Sequence, residues 1–415
     1  MHIRFKDKCS SCMDIAWKEK NGGITMKKAI ALLLALVMVF ALCACGGGGD
    51  SASGDKVVKI GVFEPASGDS GAGGKKEMLG MQYANQKTPT VEIGGETYKV
   101  ELVYSDNASD SAKAVSAASK LVNEKVSIVL GSYGSSVSMA ASDTFKQAGI
   151  PAIGVTCTNP NVTIGNSHYF RICYTDPFQG TVLANYASEL GAKKAYCLGE
   201  NGNEYDQGLI TYFKQAFEKA GGTVVTDSFP KDNSDFSSYL NKAKDQGCGV
   251  FFAPVSIAYA TQIVSQANSL NVNIPILGPD TWDDNMVLNA ATGTKDNISV
   301  TTFYIEGGNE EFDSEIKSYI NSNADAKTAN GGDDTVSAVT AMGYDAYYVA
   351  LEALKAAGST DPAKVMEALP SVSCDGATGH ITFGENGDAV RDIVYIKSID
   401  TATGTWKFVK QQKSS

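Results

Sequence analysis

Residues 193–226 read KKAYCLGENGNEYDQGLITYFKQAFEKAGGTVVT. A short apolar run over 193–198 reads as a strand. Leu209, Tyr212, Phe213, Ala216, Phe217 and Ala220 then recur at helical spacing on one face, and Gly221-Gly222 stops that helix. Residues 223–226 open the next strand. Strand, amphipathic helix and strand in one short stretch predict parallel neighbours, because parallel strands need a crossover between them.

The same rhythm runs outward in both directions. Upstream, strands over 57–63, 98–104, 127–130 and 151–155 alternate with helices over 75–86, 136–148 and 178–190. A further helix opens at Asp110, with Val115, Ala118, Leu121 and Val122 expected on its inner face. Downstream come a helix over 236–246, a strand over 250–253, a helix over 257–270 and a strand over 274–277. The fold class is therefore α/β with mostly parallel sheets, and the units are too many for one compact sheet. Two doubly wound lobes are expected. The tail departs from the rhythm: helices over 336–357 and 363–369, then 381–383 and 392–399 read as a hairpin about the turn 384–387, with a further strand over 406–409. These pieces must pack on lobes already begun, so the chain crosses between lobes more than once.

Composition narrows the class of function. The 415 residues are 43% hydrophobic and 20% charged, ordinary for a globular protein. A net charge of −11 argues against a nucleic-acid-binding face. Three histidines leave little room for imidazole chemistry. His168 and His380 have no ligand-spaced partners, so no metal and no cofactor are expected. Beyond Cys45, Cys157, Cys173, Cys197, Cys248 and Cys374 are odd in number and widely spaced, which suits buried thiols rather than a disulfide framework.

The amino terminus reads as targeting, not fold. Met26-Lys27-Lys28 is a basic start, 29–44 carries no charge, and Leu42-Cys43-Ala44-Cys45 precedes a Gly/Ser-rich stretch. This resembles a bacterial lipoprotein signal over 26–44, with Cys45 as the lipid-bearing residue and 45–55 as a flexible tether. Residues 1–25 have no place in that scheme and read as an extension upstream of a start at Met26. The apolar run is shorter than a membrane-spanning helix needs.

From residue 56 to 409 the chain resembles the branched-chain amino-acid-binding proteins, the extracytoplasmic receptors of ABC importers. The resemblance rests on 58–68 with its Pro65-Ala66-Ser67-Gly68 end, and on Tyr104-Ser105-Asp106-Asn107. It continues through Gly131-Ser132-Tyr133-Gly134-Ser135-Ser136 and Thr156-Cys157-Thr158-Asn159-Pro160. Phe170-Arg171 with Asp176, Gln179 and Gly180, then Asp235-Phe236-Ser237, Gly278-Pro279-Asp280 and 379–387, complete it. It implies a type I periplasmic-binding fold with three crossing segments, lobe one over 56–173 plus 305–376 and lobe two over 176–303 plus 380–411. It also implies a ligand cleft between the lobes, the outer face of a bacterial cytoplasmic membrane as location, a monomer, and permease and ATPase subunits as partners.

An α-amino acid brings two charges that need partners when buried. Ser135 falls where a helix begins, the natural place for a carboxylate, and the resemblance gives it and Thr158 that role. The carbonyl of Thr156 and the carboxylate of Asp280 are assigned to the ammonium, with Tyr133, Tyr205 and Trp282 around the side chain. Each also has a plainer reading: Ser135 and Thr158 as caps or turn residues, Asp280 as a helix-capping loop carboxylate, Tyr205 as packing at a helix start. Gly71-Ala72-Gly73-Gly74 stands where the family's leucine binders carry an aromatic, and Val255-Ser256 where they carry tyrosine. Space beside Gly73 and Val255 therefore suggests a branched-chain, longer or aromatic side chain. The competing functions are a sensor that hands its ligand to a signalling partner and a receptor for an amide or aromatic acid. Gly68-Asp69-Ser70-Gly71 looks like a serine-protease motif, but only His2 precedes it and the strand pattern is α/β, so no enzyme is expected.

Overall fold

The computed structural model describes residues 56–295 and 297–413. The extension 1–25, the signal 26–44, Cys45 and the tether 45–55 lie outside the described residues.

Two sheets organise the chain. The first holds β1 (Val57–Glu64), β2 (Thr90–Ile93), β3 (Glu96–Asp106), β4 (Ile128–Leu130), β5 (Ala152–Gly154) and β6 (Tyr169–Arg171), in the order β2-β3-β1-β4-β5-β6. All its neighbours are parallel except β2 with β3. The second holds β7 (Lys194–Glu200), β8 (Thr223–Phe229), β9 (Val250–Phe252), β10 (Ile276–Gly278) and β11 (Ile298–Thr302) as a parallel set. After the small hairpin of β12 (Ser373–Gly376) and β13 (Gly379–Thr382), the chain returns to the second sheet. There β14 (Ile393–Asp400) pairs antiparallel with β11, and β15 (Thr405–Lys413) with β14. Helices cover the sheets, giving two doubly wound α/β lobes.

The crossovers follow the local signals. Asp110 caps helix Ser111–Asn123 by accepting from the amide of Ala112 at 2.8 Å. Val115, however, is exposed; the buried stripe is Ala114, Ala117, Ala118 and Leu121. Alanines let this helix approach its neighbours closely, and β-branched bulk is turned outward. The tail hairpin also pairs differently from expectation. The turn 384–387 closes, with Gly384 N–H donating to Asp388 O at 2.8 Å, but β13 pairs with β12, and the strand after it joins β11.

Helix Ala338–Ala357, late in the chain, packs on helix Gly71–Lys87 of the first lobe. Glycines set the spacing. A Cβ on Gly80 would lie 2.0 Å from Thr340 O, and one on Gly343 would lie 2.1 Å from Glu77 O. Backbone meets backbone there, and no larger residue fits.

Three segments join the lobes and lie side by side. Tyr174 stacks on Phe303 with centroids 4.1 Å apart. Arg391 Nε donates to Ile172 O at 2.8 Å, and the same guanidinium donates to Thr378 O at 2.9 Å. Asp345 takes the amides of Ala377 and Thr378 at 2.6 and 2.9 Å. Cys157, Cys173, Cys197, Cys248 and Cys374 are buried free thiols.

Candidate functional site: the interlobe cleft

Strand ends of both lobes face one another across a small cavity of about 60 Å³. Open parallel sheets place ligand loops at these carboxyl ends. Tyr133, Ser135 and Thr156 line it from the first lobe, and Tyr205 lines it from the second. Asp280 and Thr158 stand behind that lining, buried.

Helix Ser135–Ala148 starts at the cavity. Gly134 is its N-cap and supplies no side-chain acceptor, so the first amides are unspent by the helix. Helix Glu204–Lys219 also starts here, but Asn203 Oδ1 accepts from the amides of Tyr205 and Asp206 at 3.1 and 3.4 Å. Of the two helix starts, the one at Ser135 is the open anion seat. The Ser135 hydroxyl accepts from Asn159 N–H at 3.2 Å, and its own proton remains available.

The loop 156–160 is held from below. Arg171, wholly buried, donates to Asn159 O at 2.5 Å, Cys157 O at 3.1 Å and Thr163 Oγ1 at 3.1 Å, and pairs with Asp388 at 2.6 Å. This fixes Thr156 and Thr158 relative to the crossing segments. Thr158 Oγ1 is buried without a hydrogen-bond partner.

Asp280 Oδ1 accepts from Gln179 Nε2 at 2.7 Å and from Tyr205 OH at 2.8 Å. Its Oδ2 takes no side-chain bond. Burial pushes the Asp280 carboxyl up to about 6, against the pull of those two donors. Burial likewise raises Asp176 to about 7. A second acid pair lies under the first-lobe wall. Glu64 accepts from Tyr133 N–H at 2.7 Å, and Glu77 accepts from the Thr156 hydroxyl. Burial raises Glu77 to about 8 and Glu64 well above the usual carboxylate range, with each carboxyl beside the other.

Two expectations about the side-chain end differ from the structure. The space beside Gly73 is filled: a Cβ there would lie 2.4 Å from Cε2 of Tyr133. The Tyr133 ring occupies that room. Val255 is buried in the second-lobe core, and its carbonyl accepts from Thr281 Oγ1 at 2.9 Å. Trp282 is fully buried in that core over Gly278 rather than lining the cavity.

Lys76 and Glu77 were not singled out from sequence. Lys76, on helix Gly71–Lys87, crosses to the second lobe and donates to Asp284 Oδ2 at 2.6 Å and Asn285 Oδ1 at 2.5 Å. Both ends of that ion pair are 2% exposed. Asn285 Nδ2 returns to Asn330 O at 2.7 Å and Asp333 Oδ2 at 2.9 Å, and Ser136 Oγ takes Glu204 N–H at 3.1 Å. The lobes are closed on each other through these contacts.

A family model described as periplasmic binding protein matches residues 57–404. The chain belongs to the periplasmic binding proteins, in the branched-chain amino-acid-binding family. A Leu/Ile/Val-binding protein homolog from Brucella melitensis is 28% identical over 347 residues, covering 80% of this chain and 88% of that protein. The Leu/Ile/Val-binding protein of Escherichia coli K12 is 26% identical with the same coverage. Among solved structures, a leucine-binding protein from Thermotoga maritima superposes with a TM-score of 0.76 at 30% identity, covering 86% of this chain and 99% of that one. These relatives are solute-binding proteins, not enzymes. No helix among the described residues of this binding protein is long and apolar enough to cross a membrane.

Proposed function

We propose that this protein is the extracytoplasmic receptor of an ABC importer and closes its lobes over an α-amino acid. The observation that carries the reading is one cavity with an open helix start in its wall and a buried carboxylate behind the lining on the other side. An uncapped helix start with the Ser135 hydroxyl suits a carboxylate. The buried Asp280 carboxylate, joined to the lining through Tyr205, suits an ammonium. Thr158 adds a donor toward the carboxylate and the Thr156 carbonyl an acceptor toward the ammonium. The relatives, including one from Pseudomonas aeruginosa named for leucine, isoleucine, valine, threonine and alanine, support an amino acid. Calorimetry with an amino-acid panel tests it: one site per chain is expected, and the matching 2-oxo acids and decarboxylated amines should not compete. Competition by either analogue at parent affinity would refute the two-ended site.

The raised carboxyl groups set a pH dependence with a definite sign. Burial pushes the carboxyl groups of Asp280 and Asp176 up to about 6 and about 7, and raises Glu77 further beside Glu64, against roughly 4 in an unfolded chain. The fold therefore holds more protons than the unfolded chain between those values. Their contribution to stability is present below about pH 4 and is lost as pH rises through 6 to 8. An ammonium favours ionised Asp280, so the ligand-induced rise in melting temperature should grow from about pH 5 to about pH 8. Melting curves with and without ligand across that range check this, and a rise that shrinks toward alkaline pH would contradict it.

The lipid anchor belongs to the same proposal. Cys45→Ser is expected to abolish incorporation of a fatty-acid probe while Cys43→Ser retains it. The reverse pattern would move the anchor elsewhere.

A further inference from the structure

We infer that Glu64 and Glu77 share a single proton and through it hold together the two loops of the first-lobe wall, which makes both of them positioning residues for ligand binding. This rests on the cleft of the reading above, not on which amino acid fills it. Glu64 ends β1, and Glu77 lies on helix Gly71–Lys87. Their exposures are 1% and 0%. Each spends one oxygen on a residue of the cavity wall. Glu64 Oε2 accepts from Tyr133 N–H at 2.7 Å, and Glu77 Oε1 accepts from the Thr156 hydroxyl. Tyr133 follows β4 and Thr156 follows β5, so the pair reaches two separate loops, and both residues line the cavity.

The remaining oxygens, Glu64 Oε1 and Glu77 Oε2, are buried and meet no donor. The two carboxyls lie within hydrogen-bonding reach of each other. Gly131 makes the room: a Cβ there would lie 2.7 Å from Glu64 Oε1. Two carboxylates side by side away from water do not both stay ionised. One proton answers both demands, because it neutralises one acid and supplies the donor that the pair lacks. The titratable groups facing the pair are themselves acids: Cys157 and Tyr169 near Glu64, Tyr133 and Asp280 near Glu77. Lys76, next along the helix, is spent on Asp284 and Asn285. Without the shared proton the two anions repel, and the tie between the loops is lost.

Glutamine replaces the proton with a fixed donor. In Glu77→Gln the amide oxygen still accepts from Thr156 and the amide N–H donates to Glu64; Glu64→Gln mirrors this toward Tyr133 and Glu77. Infrared spectra at pH 7, without ligand, should show each variant losing the carbonyl absorption of one protonated carboxylic acid relative to the parent. Loss in only one variant, or in neither, would overturn the shared proton. The positioning role is read by calorimetry with the tightest binder among leucine, isoleucine, valine, threonine and alanine. Glu77→Gln should bind within about twofold of the parent, and Glu77→Ala about tenfold more weakly or worse, because it strands the Thr156 hydroxyl and Glu64. Parent-like binding by Glu77→Ala, or a Glu77→Gln variant as weak as it, would overturn the positioning role. If none of the five amino acids binds the parent, the receptor reading fails, and the infrared spectra still decide the proton.

Discussion

Asp280→Ala will bind its amino acid about two to three orders of magnitude more weakly than the parent protein. The carboxylate is buried, and one oxygen is already shared between Gln179 and Tyr205. Removing it strands an ammonium in a site that cannot hydrate it. Breaking a buried charge pair from one side costs roughly 3–5 kcal/mol, and each 1.4 kcal/mol is about tenfold in affinity. Asp280→Asn separates charge from shape: its amide oxygen can still accept from Tyr205 and Gln179. It should recover the fold's stability but little of the affinity. Calorimetry and melting curves on both variants decide the matter. Parent-like binding by the alanine variant would remove the ammonium from this position.

Lys76→Met will weaken apparent affinity by two orders of magnitude or so without touching the ligand. Its ammonium pairs with Asp284 across the lobe boundary, and neither end meets solvent when the lobes are closed. In an open protein both ends would be hydrated. The substitution therefore penalises closure alone, again by roughly 3–5 kcal/mol for a stranded carboxylate. Apparent affinity falls in proportion to the closed fraction. Adding Asp284→Asn removes the stranded charge and should restore most of the loss, because contacting residues are not additive. Scattering would show the single variant more extended than the parent at equal ligand. A single variant within twofold of the parent, closed in scattering, would end the latch interpretation.

The architecture was legible because each crossover unit announces itself locally. Gly221-Gly222 ends a helix whose apolar face is continuous, and Asp110 caps the next helix it precedes. Tyr133, Ser135, Thr156 and Tyr205 were assigned to one cleft by the resemblance to the branched-chain amino-acid-binding proteins, and all four line the cavity. What was not legible depends on apposition. Lys75-Lys76-Glu77 has the composition of a solvated helical face. Only the second lobe, more than two hundred residues away in sequence, turns Lys76 into a buried ion-pair partner. Glu64 falls just past the strand expected over 57–63, and nothing in the sequence pairs it with Glu77, whose carboxyl lies beside it in the fold. The strand β2 was missed because it is only four residues long; its Thr-Val-Glu-Ile alternation, with Val91 and Ile93 buried, and the following Gly94-Gly95 pair, both at positive φ, are the signals that mark it and the turn into β3. Trp282 was drawn toward the cleft by its polar neighbours, but Gly278 opens room for its ring in the core.

The packing of helix Ala338–Ala357 on helix Gly71–Lys87 bears on the order in which the molecule can be made. The first lobe's leading helix has its inner face completed only by a segment synthesised near the end of the chain, at glycine contacts that nothing else in the described residues supplies. The second sheet is likewise finished by its last two strands, β14 and β15. Both lobes thus depend on residues late in the chain for part of their packing. Long-range contacts of this kind delay collapse to a native state. A chain built this way emerges unfinished and stays incomplete until the segments that close its two lobes are available.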